Sequence, residues 1–317
     1  MTLQLLIAHY HEPEDMVAQL LDSIAAQQGA ETPDVLICND GTDVPLSDDF
    51  LARYPFASYM ERPHSGVSAT RNALLEASTG DYLMFLDSDD LFFSLIGLHV
   101  IDRWIAKDFD VMISDFIEEH WEHGRLVGYI PRKNDPFFLH GKVFRRQYLI
   151  DNGIRWDDSL TTSGDNYFLW QALSLTDRIA YCPEPFYMWK YNPGSVCRGE
   201  DDHFLKDYPK HLRTYVLLCD RFTVMGRRDL ATTFATMMAY ESYVGMHSSG
   251  WNQWPYKDEA MGILREGLAR YGDLCSEMPE DDRRKLYHNV LHSHMIESMS
   301  GGIMLADEWI SNMRRKS

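Results

Sequence analysis

Apolar residues in the first part of the chain fall into two rhythms. Short continuous runs at 3–8, 34–38 and 82–86 read as strands buried on both faces. Between them, 15–28 carries Val17, Leu20, Leu21 and Ile24 at helical spacing, and 68–78 places Leu74, Leu75 and Ala77 on a helix that Gly80 ends. A short strand is expected at 58–61. Strand-helix-strand-helix-strand predicts a parallel sheet with right-handed crossovers. Ligands of such sheets bind beyond the carboxyl ends of the strands. His9, Asp40 and Asp87 stand just past such ends, so three strands aim polar groups at one rim.

Further along, 95–106 predicts a helix, 110–114 a strand and 116–129 a hairpin. Residues 131–200, rich in aromatics, Pro and Gly, read as loops, short strands and one helix near 165–175. From about Phe204 the chain becomes rich in Leu, Met, Ala and Arg with few prolines, which predicts a helical region, as at 234–246 and 260–271. The expected division is 1–203, with halves 1–90 and 91–203, followed by 204–317.

Length and composition narrow the class. A chain of 317 residues, 45% hydrophobic and 25% charged, has the balance of a soluble globular protein with one large core or two domains. Its formal net charge of -18 argues against nucleic acid and anionic membranes as partners unless a local basic patch exists. It leaves a nucleotide ligand open, because a bound divalent ion can bridge two anions. The five cysteines, Cys38, Cys182, Cys197, Cys219 and Cys275, are widely spaced without a CxxC, so a reducing compartment is expected. No signal-peptide pattern or membrane-length apolar run occurs. A cytoplasmic location is expected, with peripheral membrane contact left open.

The stretch Tyr82-Leu-Met-Phe-Leu-Asp-Ser-Asp-Asp90 carries the densest chemistry. On extended backbone Asp87 and Asp89 would point the same way. Two such carboxylates repel, so a cation must sit between them or one must take up a proton. Mg²⁺ is typically held by one or two carboxylates plus substrate phosphates. The stretch therefore predicts a metal and a phosphorylated ligand. Read instead as a helix N-cap run before Leu91, it would be structural only.

Three ordered motifs resemble family 2 glycosyltransferases of the GT-A fold. Leu5-Leu-Ile-Ala-His-Tyr-His11 stands where that family has its first strand and nucleotide-binding turn. Ile37-Cys-Asn-Asp-Gly-Thr-Asp43 is similar to its Val-Asp-Asp-Gly-Ser-Thr-Asp loop. Gly66-Val-Ser-Ala-Thr-Arg-Asn72, followed by the 82–90 stretch, is similar to its Ala-Arg-Asn helix and metal-binding D-x-D strand. Weaker echoes follow at Gly141-Lys-Val-Phe-Arg-Arg146, Ser163-Gly-Asp-Asn-Tyr-Phe168, Tyr187-Met-Trp-Lys-Tyr191 and Gly194-Ser-Val196.

The resemblance implies an α/β, Rossmann-like nucleotide-diphospho-sugar transferase fold with a mainly helical C-terminal region. It implies a nucleotide-diphosphate sugar as donor, UDP-sugar first, and Mn²⁺ or Mg²⁺ as cofactor. Ala8, His9 and Tyr10 would flank base and ribose, Asp40 would contact the base, and Arg71 would approach the diphosphate, with a solvated helix face as its structural alternative. Asp87 and Ser88 would face ribose and metal, and Asp89 would be the principal metal ligand. Asp165 would act as general base in a single inverting displacement, although Gly164 replaces the family's usual Glu. His203 is a further candidate metal ligand and His140 a candidate liner of the sugar pocket. Trp121, Trp156, Trp170 and Trp189 are candidate sugar platforms or core. Glu118, Glu119, His120 and His123 would form a second metal cluster or a solvated hairpin. The acceptor is left open among glycans, lipid-linked glycans, proteins and modified nucleic acid. The C-terminal helices are expected to shape the acceptor site or an oligomer interface. Two other readings remain at this stage: a haloacid-dehalogenase-like phosphatase, which also uses D-x-D, and an inactive sugar-nucleotide-binding domain.

Overall fold

The computed structural model describes residues 1–193, 203–247, 254–293 and 302–314. The chain divides into two compact units, Met1–Gly199 and Glu200–Ser317. The first unit is built on one mixed sheet. Its amino-terminal strands are β1 (Leu3–His9), β2 (Asp34–Asn39), β3 (Ala57–Glu61) and β4 (Tyr82–Asp87). They lie parallel in the order β3-β2-β1-β4 and are joined by α1 (Glu14–Ala25), α2 (Asp48–Leu51) and α3 (Val67–Ala77). The chain winds outward from β1 through β2 to β3, then returns to place β4 on the other side of β1. That reversal opens a crevice at the carboxyl end of β1, between the ends of β2 and β4.

The period of two explains the apolar runs. Leu5, Ile7, Tyr82, Met84 and Leu86 share one core cluster with Val17, Leu20, Leu21 and Ile24 of α1. Leu6, Leu83 and Phe85 belong to the cluster on the opposite face, with Leu74 and Leu75 of α3. Both faces are covered, so each residue of these strands contributes apolar area, about 1.5–3 kcal/mol for a fully buried Leu or Met.

The second half of this unit departs from the expected layout. It contains β5 (Leu91–Phe92), α4 (Gly97–Ile105), β6 (Val111–Glu122), β7 (Arg125–Arg132), β8 (Lys142–Arg145), α5 (Arg146–Asp151), α6 (Gly164–Ser174) and β9 (Ile179–Trp189). The sheet continues β4-β8-β6-β9-β5, and β7 pairs with β6. β8 runs antiparallel to both β4 and β6, so the sheet is mixed rather than wholly parallel. The strand expected at 110–114 and the first arm of the hairpin are one strand, β6. Its register against β9 shifts between Ser114 and Phe116, which takes up the polar Asp115 without ending the strand.

The 11-residue β9 was not expected from a segment holding Pro183 and Pro185. Pairing explains it. Cys182 pairs with Ser114 and Tyr187 with Phe116, so both prolines lie in the unpaired stretch of a bulge, where a missing N–H costs nothing. Leu91, which the structural alternative has opening a helix, instead starts β5 and pairs with Met188.

The second unit is helical, as expected: α7 (His203–Val224), α8 (Arg228–Met246), α9 (Lys257–Cys275), α10 (Glu280–Ser293) and α11 (Gly302–Arg314). Helices α7, α8 and α9 pack on one another through Val216, Phe222, Phe234, Met238 and Leu268. No helix among the described residues is long and apolar enough to cross a membrane.

Candidate active site

Parity places the first functional carboxylate. Asp87 ends β4 in the 83-85-87 row, the face covered by α3 and α6. Arg71 sits on α3 three and four residues before the buried Leu74 and Leu75, hence on the same buried stripe. The two meet: Arg71 Nη2 donates to Asp87 Oδ1 at 2.6 Å. The other arm, Nη1, donates to Asp165 Oδ1 at 2.7 Å from the first turn of α6. Arg71 is therefore a buried bridge between two carboxylates, not a solvated helix face and not a free cation awaiting a diphosphate. Asp165 Oδ1 also accepts from Trp156 Nε1 at 2.9 Å, and among the described residues no donor to its Oδ2 is found.

Three carboxylates follow one another at this end but take different environments. β4 stops at Asp87 and the chain turns through Ser88 and Asp89, so strand alternation does not set where Asp89 points relative to Asp87. Asp89 Oδ2 accepts from Asn192 Nδ2 at 2.8 Å instead. Ser88 is buried. Asp90 is wholly buried and accepts from Tyr187 Oη at 2.5 Å and the Lys190 amide at 2.8 Å. It is no helix cap. His140 completes the group, its Nε2 3.4 Å from Asp87 Oδ2 and 3.5 Å from Asp90 Oδ2.

The electrostatics of this corner are unbalanced. Burial works against the charge of Asp87, but Arg71 and His140 more than offset it and hold the carboxyl below its usual range. Burial together with the charge of Asp87 pushes Asp89 up, and burial with Asp87 and Asp89 pushes Asp90 well up. One guanidinium thus serves a crowd of acids. Among the described residues, Asp87, Asp90 and His140 are the one group whose donor atoms, all within 4.8 Å of one another, suit a metal ion. Both nitrogens of the buried His140 ring lack an aligned hydrogen-bond partner, as a ligand-in-waiting would. The donor set of carboxylates and one imidazole fits a divalent cation, with the imidazole favouring Mn²⁺ over the harder Mg²⁺.

Across the end of β1 lies Asp40, just past β2 and also buried. Its Oδ1 accepts from the Ser65 amide at 3.0 Å and its Oδ2 from the Gly66 amide at 2.8 Å, which ties it to the N-terminus of α3. Arg62 Nη1 stands 3.5 Å from Oδ1 and His64 Nδ1 2.9 Å from Oδ2. Gly41 is irreplaceable in this turn. Its φ is +71°, and a Cβ there would lie 2.4 Å from the His64 amide nitrogen. Ala8 and the buried His9 end β1, and His9 Nε2 is 2.9 Å from the Glu12 carbonyl. Tyr10, on the surface, stacks on the His64 ring.

Gly164 acquires a physical reason. A Cβ on it would lie 2.6 Å from Ser68 Oγ, so a Glu at this position would displace the buried Ser68 hydroxyl from the Leu160 carbonyl. Trp156 is core, stacked on Phe168 at 3.7 Å, and Trp189 packs on His140 at 4.8 Å. Trp121 stacks on Tyr191 and Trp170 meets Phe137 edge-on. The second acidic cluster does not converge: Glu118 pairs with Arg132, Glu119 accepts from Trp121 and the Tyr191 amide, and His120 lies beside Glu122. His203 begins α7, but its side chain, like residues 194–202 with the Gly194-Ser-Val196 motif and Cys197, lies outside the described residues. Lys142, beneath the site, is fully buried with Nζ on the Asp135 and Phe138 carbonyls, and burial lowers its pKa to about 8.

Sequence reasoning missed Asp90 and underrated His140. The signal for Asp90 was present as the third acidic residue within four positions after an apolar strand. His140 had no local signal, because the β8–β4 pairing brings it in from far along the chain.

Comparison with known proteins bears on family and fold. Residues 5–146 match the family described as Glycosyl transferase family 2. The chain is 18% identical over 240 residues to an uncharacterized glycosyltransferase, EpsJ, of Bacillus subtilis, covering 66% of this chain and 69% of that one. It is 21% identical over 311 residues to a cholesterol galactosyltransferase of Borreliella burgdorferi, covering 86% and 85%. Among solved structures, TarS 1-349 of S. aureus in complex with UDP-GlcNAc shares the fold with a TM-score of 0.66 at 16% identity, covering 91% of this chain and 87% of that one.

Proposed function

We propose that the chain, whose residues 5–146 match glycosyl transferase family 2, moves a sugar from a UDP-sugar to an acceptor hydroxyl with inversion, assisted by a divalent cation. The observation that carries this reading is the buried Asp87–Arg71–Asp165 bridge beside Asp90 and His140. It sets a metal-seeking corner and a carboxylate with one unclaimed oxygen on two sides of one guanidinium. The solved relative named above carries UDP-GlcNAc, which supports UDP as the nucleotide.

Asp87, Asp90 and His140 would hold the cation, with Asp89 on the adjoining turn as a further carboxylate. When bound, the ion supplies Lewis-acid neutralisation of the leaving diphosphate. Asp165 takes the acceptor proton on Oδ2, since Arg71 and Trp156 fix its Oδ1 and so its orientation. Ala8, His9 and Tyr10 would border the base and ribose at the end of β1.

The phosphatase reading loses its footing. Its D-x-D would need Asp87 as a free nucleophile, whereas Arg71 holds that carboxylate. Gly164 gives no support to an inactive domain, because packing against Ser68 accounts for it.

The test is a donor panel. The protein is incubated with UDP-, GDP- and dTDP-sugars, with and without Mn²⁺, and nucleoside diphosphate release is followed. Mn²⁺-dependent release from one UDP-sugar is expected, and the anomeric configuration of the product reports inversion. Release of phosphate from simple esters, with no sugar-nucleotide turnover, would reject the proposal.

A further inference from the structure

We propose that the His64 imidazole is a stand-in for the nucleobase, occupying the base's place on Tyr10 and against Asp40 until a nucleotide displaces it. This rests on the nucleotide-sugar reading above and adds to it the residue that guards the base position.

Three observations meet at His64. Its ring stacks on Tyr10 with centroids 4.4 Å apart and planes 18° from parallel, although Tyr10 is 36% exposed. Its Nδ1 lies 3.1 Å from the Asp40 carbonyl and 2.9 Å from Asp40 Oδ2. The pair stands beyond the carboxyl ends of β1 and β2, on the rim where sheets of this topology take ligands. A flat ring on an aromatic shelf, with a ring nitrogen bonded to the Asp40 carbonyl and 2.9 Å from its carboxylate, offers the kind of contacts a uracil would make there. Two rings this close admit nothing between them, so a base must replace His64 rather than join it.

The surroundings single out His64 as the part that moves. The Ser65 and Gly66 amides on Asp40 are backbone groups at the start of α3 and cannot leave without unwinding it. Arg62 is shared between Asp40 and Thr70. The His64 side chain is 55% exposed and has solvent to rotate into, while its backbone is pressed against Gly41 and stays in place. Departure of the imidazole leaves Oδ2 with one open acceptor direction. Uracil, thymine and guanine carry N–H at the ring nitrogen of their pairing edge, whereas adenine and cytosine carry a lone pair there. The vacated position therefore selects the first group.

A self-occupied site reduces apparent affinity by the fraction of molecules in which it is open. An exposed pair of this kind is worth at most about 1 kcal/mol, so emptying it should tighten nucleotide binding by about threefold to fivefold. The experiment is calorimetric titration of UDP and ADP into wild type and His64→Ala at constant Mn²⁺. A side-chain NMR titration of wild type follows the His64 ring. The expected result is tighter UDP binding by His64→Ala, weaker ADP binding in both proteins, and loss of the Tyr10 ring-current shift of His64 when UDP is added. Unchanged or weaker UDP binding by His64→Ala, with wild type binding normally, overturns the stand-in role alone. ADP binding as tight as UDP overturns the selection by Asp40. Failure of both proteins to bind any nucleoside diphosphate rejects the nucleotide reading and this inference with it.

Discussion

Asp40 and Asp87 stand at the carboxyl ends of the two strands that flank β1, yet their corners are opposites. Around Asp40 the protein supplies every donor the carboxylate can use: two backbone amides, a guanidinium and an imidazole. Around Asp87 one arginine and one histidine serve a stretch with three carboxylates in four positions, two of them pushed up in pKa. The first corner is complete as folded protein. The second is complete only with a cation. The difference shows how one topology makes both a rigid anchor and a metal seat: the sheet delivers a carboxylate to each strand end, and the local donors decide what it does there.

The largest expected effect tests the link from the second corner to catalysis. Asp165→Asn should lower kcat by about 10²–10⁴-fold while leaving UDP affinity nearly unchanged. Near-normal kcat would remove Asp165 as the base. Next comes the bridge itself. Arg71→Met leaves Asp87 and Asp165 without their shared cation and should cost about 3 kcal/mol in urea unfolding, discounted because both carboxylates are a third exposed. A loss below about 0.5 kcal/mol would mean the bridge is weak in solution.

The same substitution at the two corners should then have unlike consequences. Asp40→Asn removes a charged acceptor from the Ser65 and Gly66 amides and should destabilise the fold by about 1–2 kcal/mol, with or without metal. Asp90→Asn removes a strained buried acid, so the metal-free protein should keep its stability while losing most of the rise in Tm that Mn²⁺ brings. Equal losses from both would erase the comparison.

The smallest effect is in pH. Asp87 is lowered from its ordinary 3.8, so its contribution is present above that value and lost as pH falls below it. Asp90 and Asp89 are raised from the same 3.8, so theirs is present below it and lost as pH rises through the raised values. Metal-free protein should therefore gain Tm on moderate acidification from neutrality, and Asp90→Asn should gain less. Thermal melts from pH 4.5 to 7.5 with chelator read this directly.

Much of this was legible in the chain. The apolar runs at 3–8, 34–38 and 82–86 could only be strands covered on both faces, and Asp40-Gly41 had to be a turn, since Gly41 has positive φ and no room for a Cβ. Even the burial of Arg71 was written in its spacing from Leu74 and Leu75. Other features were hidden because they depend on partners remote in sequence. The prolines of β9 are tolerated only because β9 bulges there, out of register with β6. His140 reaches Asp87 and Asp90 only because β8 inserts antiparallel beside β4.

The sequence by itself determined that three strand ends would present polar groups to one rim, because a period of two and a run of apolar residues leave few other solutions. Which carboxylates would be satisfied was decided by the tertiary structure. Charge on an acid depends on the donors within a few ångströms, and those come from α3, α6, β8 and β9, whose approach no local pattern encodes.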